Sequence, residues 1–548
     1  MRRGHGQADE LINDRSIDLD RLDEIIASGG AEGAEASRML MTNRLLGPGR
    51  FGKMFPDLEP FRPSDDALDE LGRGMREGDP GDPRLDNSGI PAGITYLGQF
   101  IDHDITHDGT QGFPLLSDPD EIEQQRTPTL DLDSLYGLGP ARSDHFFDPF
   151  LPPSRARFRI GRTSPLDAQA PGGALPSMLN DLPRGPDRVA VIGDDRNDEN
   201  TIVAQTHLAF LKFHNRVMDE AGLGRSEPEE LPRGRPAYYY NQAEEDEEPT
   251  SFHAARRLVR WHYQWLVLHD FLPKIVDSTV LKDVRENGRR FYRFEDAPFD
   301  GSPYMPLEFS AAAYRFGHSM IRQSYDFNRI FNSGGPPAVT DGTLALLFVF
   351  TGGGGFLPPG AHLTLPTSWV IDWRRFFDLG RPDLVNLTRR IDTKLIPELH
   401  GLPPQVASMP PTSLPVRNLL RASRVGLPAA QDVAEAMEVK PLSAAEIASG
   451  DDGPKLREHG FHERTPLWYY VLKEAELQSA GKHLGEIGSR IVSEVFVGLL
   501  DGDKNSFRTK QPDWTPTLPA ARPGTFLMSD LLRFVNEINP LGVGPEGP

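Results

Sequence analysis

Gln99-Phe-Ile-Asp102-His103-Asp104 places a histidine between two carboxylates, with an amide one helical turn before it. Imidazole titrates near neutral pH and a neighbouring acid can hold it in one tautomer, so His103 suits general-base work. On a helix, the i, i+4 spacing puts Gln99 and His103 on one face, while Asp102 and Asp104 point to either side. Apolar Leu97, Phe100 and Ile101 argue for a buried setting in which these polar groups need partners. A solvated acidic turn is the competing reading of the same six residues.

Four further clusters carry chemistry. Thr127, Thr129, Asp131 and Asp133 alternate with other residues, and in an extended loop they would aim oxygens one way, as calcium requires. The pattern lacks the glycine and closing glutamate of an EF-hand, and a turn or cap is its alternative. Arg196, permanently cationic, and Glu199 lead into a helix at Thr201, where an ordinary N-cap competes with a functional role. His318 stands in an apolar helix beside Gly317, whose missing side chain leaves room for something flat and large. A fifth polar cluster lies near 418–424, whereas His207, His214, His262 and His269 read as structural.

These residues need a scaffold, and periodicity predicts a mainly helical one with long irregular loops and little β. Helices are expected over 201–221, 252–276, 309–321, 384–399, 465–477 and 483–500, and 344–351 suits either a strand or a buried helical turn. Residues 1–84 read as an N-terminal extension or wrapping arm with a short amphipathic piece at 18–26. Residues 85–548 read as the catalytic domain, and acidic 225–250 as a surface insertion. The net charge of −21 argues against a nucleic-acid partner. The absence of cysteine excludes disulfides, thiolate metal sites and cysteine nucleophiles, and suits a cytosolic protein or one that handles oxidants. No apolar run of membrane-spanning length occurs, and the amino terminus shows no secretory signal. The expectation is a cytoplasmic protein or one exported by a non-classical route.

In this order, the five clusters resemble the animal-type haem peroxidases of the peroxidase–cyclooxygenase superfamily, in a bacterial member, from about Phe51 to the carboxyl end. The resemblance implies the family fold, with haem between helices. His103 would then be the distal base, Gln99 the holder of water or halide, and Arg196 the distal arginine. Asp104, Thr127, Thr129 (through its carbonyl), Asp131 and Asp133 would bind one calcium ion, Asp133 standing where many relatives have serine. Asp102 and Glu199 match the carboxylates ester-linked to haem in mammalian members, and Asn200 stands where a third link would need methionine. His318 would hold the haem iron, Asn418 would accept its other proton, and Arg315 and Arg421 would serve the propionates or the network around them. The last motif departs most from the family pattern, with Arg424-Val425 in an unusual place.

The activity this implies is reduction of hydrogen peroxide through a ferryl haem state, with oxidation of a halide, thiocyanate or phenolic donor, in keeping with a response to oxidative stress. A fatty-acid dioxygenase of the same superfamily is the nearest alternative, but it would carry a tyrosine three residues before His318, where this chain has Arg315. A non-haem hydrolase using His103 and Asp104 with His107 and Asp108, and a calcium-dependent binding protein without catalysis, are the others.

Overall fold

The computed structural model describes residues 49–108, 122–137, 139–140, 143–150, 156–170, 172–220, 251–296, 301–334, 341–352, 364–403 and 410–542. Residues 18–26 and the 225–250 insertion lie outside them. The elements that position the polar clusters are, in order, β1 (Gly49–Gly52), α1 (Asp65–Gly74), β2 (Asp86–Pro91), α2 (Gly93–Ile105), β3 (Glu123–Gln124), α3 (Thr201–Glu220), α4 (Ser251–Leu266), β4 (Met305–Pro306), β5 (Leu387–Arg389), α5 (Leu414–Arg424), α6 (Leu467–Ser479) and α7 (Glu486–Gly502). Helices dominate, and the strands among the described residues are short. β1 lies between β3 and β4, and β2 pairs with β5. No helix among the described residues is long and apolar enough to cross a membrane.

Helix α2 starts at a glycine for a steric reason. A Cβ on Gly93 would fall 2.4 Å from the Phe377 ring and 2.5 Å from the Phe376 carbonyl oxygen. Its apolar face is anchored by Phe100, which stacks on Phe210 of α3 at 4.6 Å and meets Tyr263 of α4 edge-on. All three rings are fully buried. Such a side chain contributes about 1.5–3 kcal/mol by leaving water, so the helix that bears His103 is held firmly. Helix α3 is buried almost all round along its first four turns, which suits the centre of a helical layer.

Three expected helices differ. The 252–276 helix is α4 followed by a wide turn over Val267–Phe271 and a last turn at Leu272–Ile275. Around His318 the chain forms a short turn at Leu307–Ser310, breaks at Ala312 (φ −137°, ψ −77°), and continues as a tight helix over Ala313–Met320. The 384–399 helix does not form. Leu387–Arg389 instead pairs with β2, Arg389 donates to Asp86 at 2.8 Å and pairs with Glu77, and the Asn386 side chain donates to the Asp326 and Arg375 carbonyls. These tertiary partners outweigh a weak local preference. The 344–351 segment opens as a short helix at Leu344–Leu347.

Candidate functional site

A cavity of about 360 Å³ lies between α2 and the 313–320 segment. Gln99, Asp102 and His103 line it from α2, Arg196, Glu199 and Asn200 from the turn before α3, and Tyr314, Arg315, Gly317 and His318 from the tight helix. Leu344, Phe348, Leu399 and Leu402 add apolar wall. A Cβ on Gly317 would meet nothing within 4 Å, so this glycine borders open space.

His103 is 6% exposed. Its Nδ1 lies 2.9 Å from Asn197 Oδ1, and no described residue hydrogen-bonds Nε2. Burial, helped by the charge of Arg196, pushes its pKa down to about 4, so it is a neutral imidazole at physiological pH. Arg196 donates through Nη2 to the His103 carbonyl (3.0 Å) and the Thr106 carbonyl (2.7 Å), stapling the end of α2, and through Nε to Asp194 at 3.0 Å. Gln99 is more committed than expected. Its Nε2 donates to Glu199 (2.8 Å) and its Oε1 accepts from Asn200 (3.0 Å), leaving one amide proton for any small ligand. Burial raises the Glu199 carboxyl. Asp102 accepts from the Thr106 hydroxyl at 3.0 Å.

Across the cavity, Asn418 and His318 meet as the sequence suggested, with Asn418 Nδ2 2.8 Å from His318 Nδ1. Arg315 Nη1 donates to Asn418 Oδ1 at 3.2 Å, and a guanidinium can only donate. In this arrangement Asn418 presents its NH2 to a bare Nδ1, whereas a proton on Nδ1 calls for the amide turned over, with Oδ1 accepting from His318. Burial first, then Arg315, lowers the His318 pKa to about 3. Arg421 is not at the cavity: it pairs with Asp108. His107 also falls outside, because α2 ends at Ile105 and Thr106 is extended (φ −133°, ψ 133°). The i, i+4 relation of His103 and His107 that the hydrolase reading needed is absent.

Asp104, on the opposite side of α2 from the cavity, meets the 127–133 loop. Carboxylate oxygens of Asp104, Asp131 and Asp133 all lie within 4.8 Å of one another, and all three residues are buried. Thr127 Oγ1 donates to Asp131 (3.1 Å) and Asp133 (3.3 Å), and Thr129 Oγ1 donates to Thr127 Oγ1 (3.2 Å). The loop is bent rather than extended, and Leu132 takes left-handed φ 60°, ψ 36°, costing roughly 1–2 kcal/mol for a residue with a Cβ. Burial and mutual repulsion raise Asp104 well above the usual carboxylate range; burial pushes Asp133 up to about 7, against the pull of Arg126. Crowded buried carboxylates of this kind suit a hard divalent cation.

Three residues with no assigned role in the sequence reading tie the site together. Arg126 (1% exposed) donates to Asp194 at 2.5 Å and lies 3.5 Å from Asp133. Burial alone would raise the Asp194 carboxyl, but Arg126 and Arg196 hold it well below its ordinary value. Asp194 thus joins the acidic cluster to the cavity arginine, and its side chain also caps the turn by accepting from Arg196 N. Gly193 allows the approach, since a Cβ there would fall 2.6 Å from the Ser134 carbonyl oxygen. The third is Asn197, buried between His103 and His207. Residue types in 193–200 marked the segment, but only the tertiary contacts separate these tasks.

Residues 108–340 match the animal haem peroxidase family. Heme peroxidase 2 of Caenorhabditis elegans is 27% identical over 146 residues, which are 26% of this chain and 17% of that relative. Peroxidase A from Dictyostelium discoideum superposes with a TM-score of 0.50 at 14% identity, over 85% of this chain and 89% of that one, and so shares the fold. Rice (Oryza sativa) fatty acid alpha-dioxygenase gives 0.49 at 13% identity over 98% and 95%, too loose to inform the chemistry.

Proposed function

Because the chain belongs to the peroxidase–cyclooxygenase superfamily, we propose that it is a haem peroxidase that reduces hydrogen peroxide at the expense of a small donor such as halide, thiocyanate or a phenol. The observation that carries this reading is that His103 and His318, 215 residues apart in sequence (318 − 103), face one cavity from separate elements. The residues fit a haem: Gly317 leaves the space beside His318 open, and neither imidazole has its Nε2 engaged by a described residue.

In this reading His318, with its proton on Nδ1 and the Asn418 amide turned so that Oδ1 accepts it, would hold the iron through Nε2, and the iron would supply the redox centre for cleaving the peroxide bond. His103 takes a proton from peroxide at Nε2 and returns it to the departing oxygen, a role that suits an imidazole kept neutral by burial. Arg196, held by Asp194 and two carbonyls, offers a fixed positive charge where negative charge develops, and such a donor is worth about 3–4 kcal/mol. Gln99 positions the small ligand with its remaining amide proton. Asp102 and Glu199 line the cavity as the carboxylates available for ester links. Asp104, Thr127, Thr129, Asp131 and Asp133 would hold one calcium ion, which would fix the far side of α2.

Arg315, bound to the Ser310 carbonyl at 2.8 Å, occupies the place where a dioxygenase would carry its radical tyrosine. Tyr314 does line the cavity, but its hydroxyl donates to the Gly98 carbonyl at 3.2 Å. The test is stopped-flow reaction of the haem-loaded chain with peroxide. His103→Leu is expected to slow it by about 10²–10⁴-fold with the Soret band retained. An unchanged rate, or oxygen uptake with linoleate in place of peroxide turnover, refutes the reading.

A further inference from the structure

A general base must present a lone pair, and an imidazole does so at Nε2 only if its proton sits on Nδ1. What His103 Nδ1 faces is therefore decisive, and it faces the amide of Asn197. Oδ1 of Asn197 lies 2.9 Å from His103 Nδ1, while its Nδ2 lies 3.1 Å from Nδ1 of His207 on α3. Asn197 and His207 are fully buried, so water does not compete for these bonds. The two contacts use the amide in opposite senses. The oxygen accepts and requires Nδ1–H on His103; the nitrogen donates and requires a bare Nδ1 on His207. Turning the amide over would reverse both, moving the His103 proton to Nε2 and into the cavity.

From this geometry we infer that Asn197 is a positioning residue for His103, locking it in the tautomer with a bare Nε2, and that His207 keeps the amide from turning over. The backbone holds Asn197 in place: its N–H donates to the Asp194 carbonyl at 3.0 Å, and the adjacent Arg196 is latched to the end of α2. His207 is fixed edge-on to Phe100 at 5.9 Å, the residue that anchors α2 itself. The ring that sets the amide and the helix that carries the base thus move as one packed unit.

The inference rests on the peroxidase reading of His103, and its test separates the two. Cyanide is the probe, because it arrives as HCN and must give its proton to a distal base before it binds. Its association rate is measured on the haem-loaded full chain, with haem content and melting temperature recorded alongside. Asn197→Leu is expected to slow cyanide association and the peroxide reaction together by roughly 10- to 100-fold, by analogy with the loss of an orienting partner of a metal-bound imidazole. Asn197→Asp, whose carboxylate still accepts from His103 Nδ1, is expected to recover most of that loss, which a merely structural role would not predict. Should Asn197→Leu fail to take up haem, Asn197→Ser, too short to reach Nδ1, replaces it in the comparison with Asn197→Asp. Equal rates for the Asp variant and the Leu or Ser variant overturn the inference, as does a wild-type rate in Asn197→Leu while His103→Leu is slow. A wild-type rate in His103→Leu overturns the underlying reading instead.

Discussion

Replacing Asn418 by aspartate changes one atom in the site and tests how the protein holds His318. In the native arrangement Arg315 occupies the amide oxygen at 3.2 Å, and the NH2 faces His318 Nδ1 at 2.8 Å. A carboxylate offers two acceptor oxygens, so one can keep Arg315 while the other takes a proton from Nδ1. Hydrogen bonds to charged groups are worth about 1.5–3 kcal/mol against about 1 for neutral ones, and the adjacent guanidinium keeps the gain at the low end. With about 1 kcal/mol of added donation to the oxidised iron, and 59 mV per tenfold in a one-electron couple, the midpoint potential of bound haem should fall by roughly 40 mV. Spectroelectrochemical titration of wild type and Asn418→Asp reads this directly. An unchanged or higher potential, with haem content equal, would refute the hydrogen-bond reasoning on this side of the cavity.

Removal of calcium should matter for stability first. With Asp104, Asp131 and Asp133 buried within 4.8 Å of one another, chelation should lower the melting temperature, added calcium should restore it, and Asp133→Ser should weaken the response; a melting curve indifferent to chelator argues against the site. Acid should destabilise the fold through histidines remote from the cavity. Burial holds His214 and His262 down to about 4, below the unfolded value near 6.5, so the unfolded chain binds more protons and stability falls as pH drops through that window. Between pH 7.5 and 5.5 each should subtract about 1.3 kcal/mol. Urea midpoints at the two pH values, compared with His214→Gln, isolate one such share, and an identical pH dependence in the variant would count against it.

Much of this protein is legible in its sequence where local chemistry and local structure coincide. The apolar rhythm of 201–221 predicts a helix that the structure has at Thr201–Glu220, because a helix buried almost all round satisfies its own backbone. Gln99 and His103 reach the same cavity because one helix spaces them. The 384–399 segment was not legible in this way: its helical pattern is overridden by pairing with β2 and by the buried Arg389, partners some three hundred residues away. Arg421 was expected to serve the propionates or the network around them on motif order, and its pairing with Asp108 shows only in the tertiary structure.

The sequence by itself determined which groups are available: a neutral base, a fixed cation, a set of hard oxygens and a second histidine far along the chain. It also separated Asp102 from Asp104, since opposite faces of one helix point them at the cavity and at the 127–133 loop. Only the tertiary structure decided how those groups are held. Whether Asn418 accepts or donates depends on Arg315, whether His103 shows a lone pair depends on Asn197 and His207, and the link between acidic cluster and cavity runs through Arg126 and Asp194. The physical reason is that a proton's position is set by the partner across a hydrogen bond, and those partners come from elements that are brought together only when the core closes.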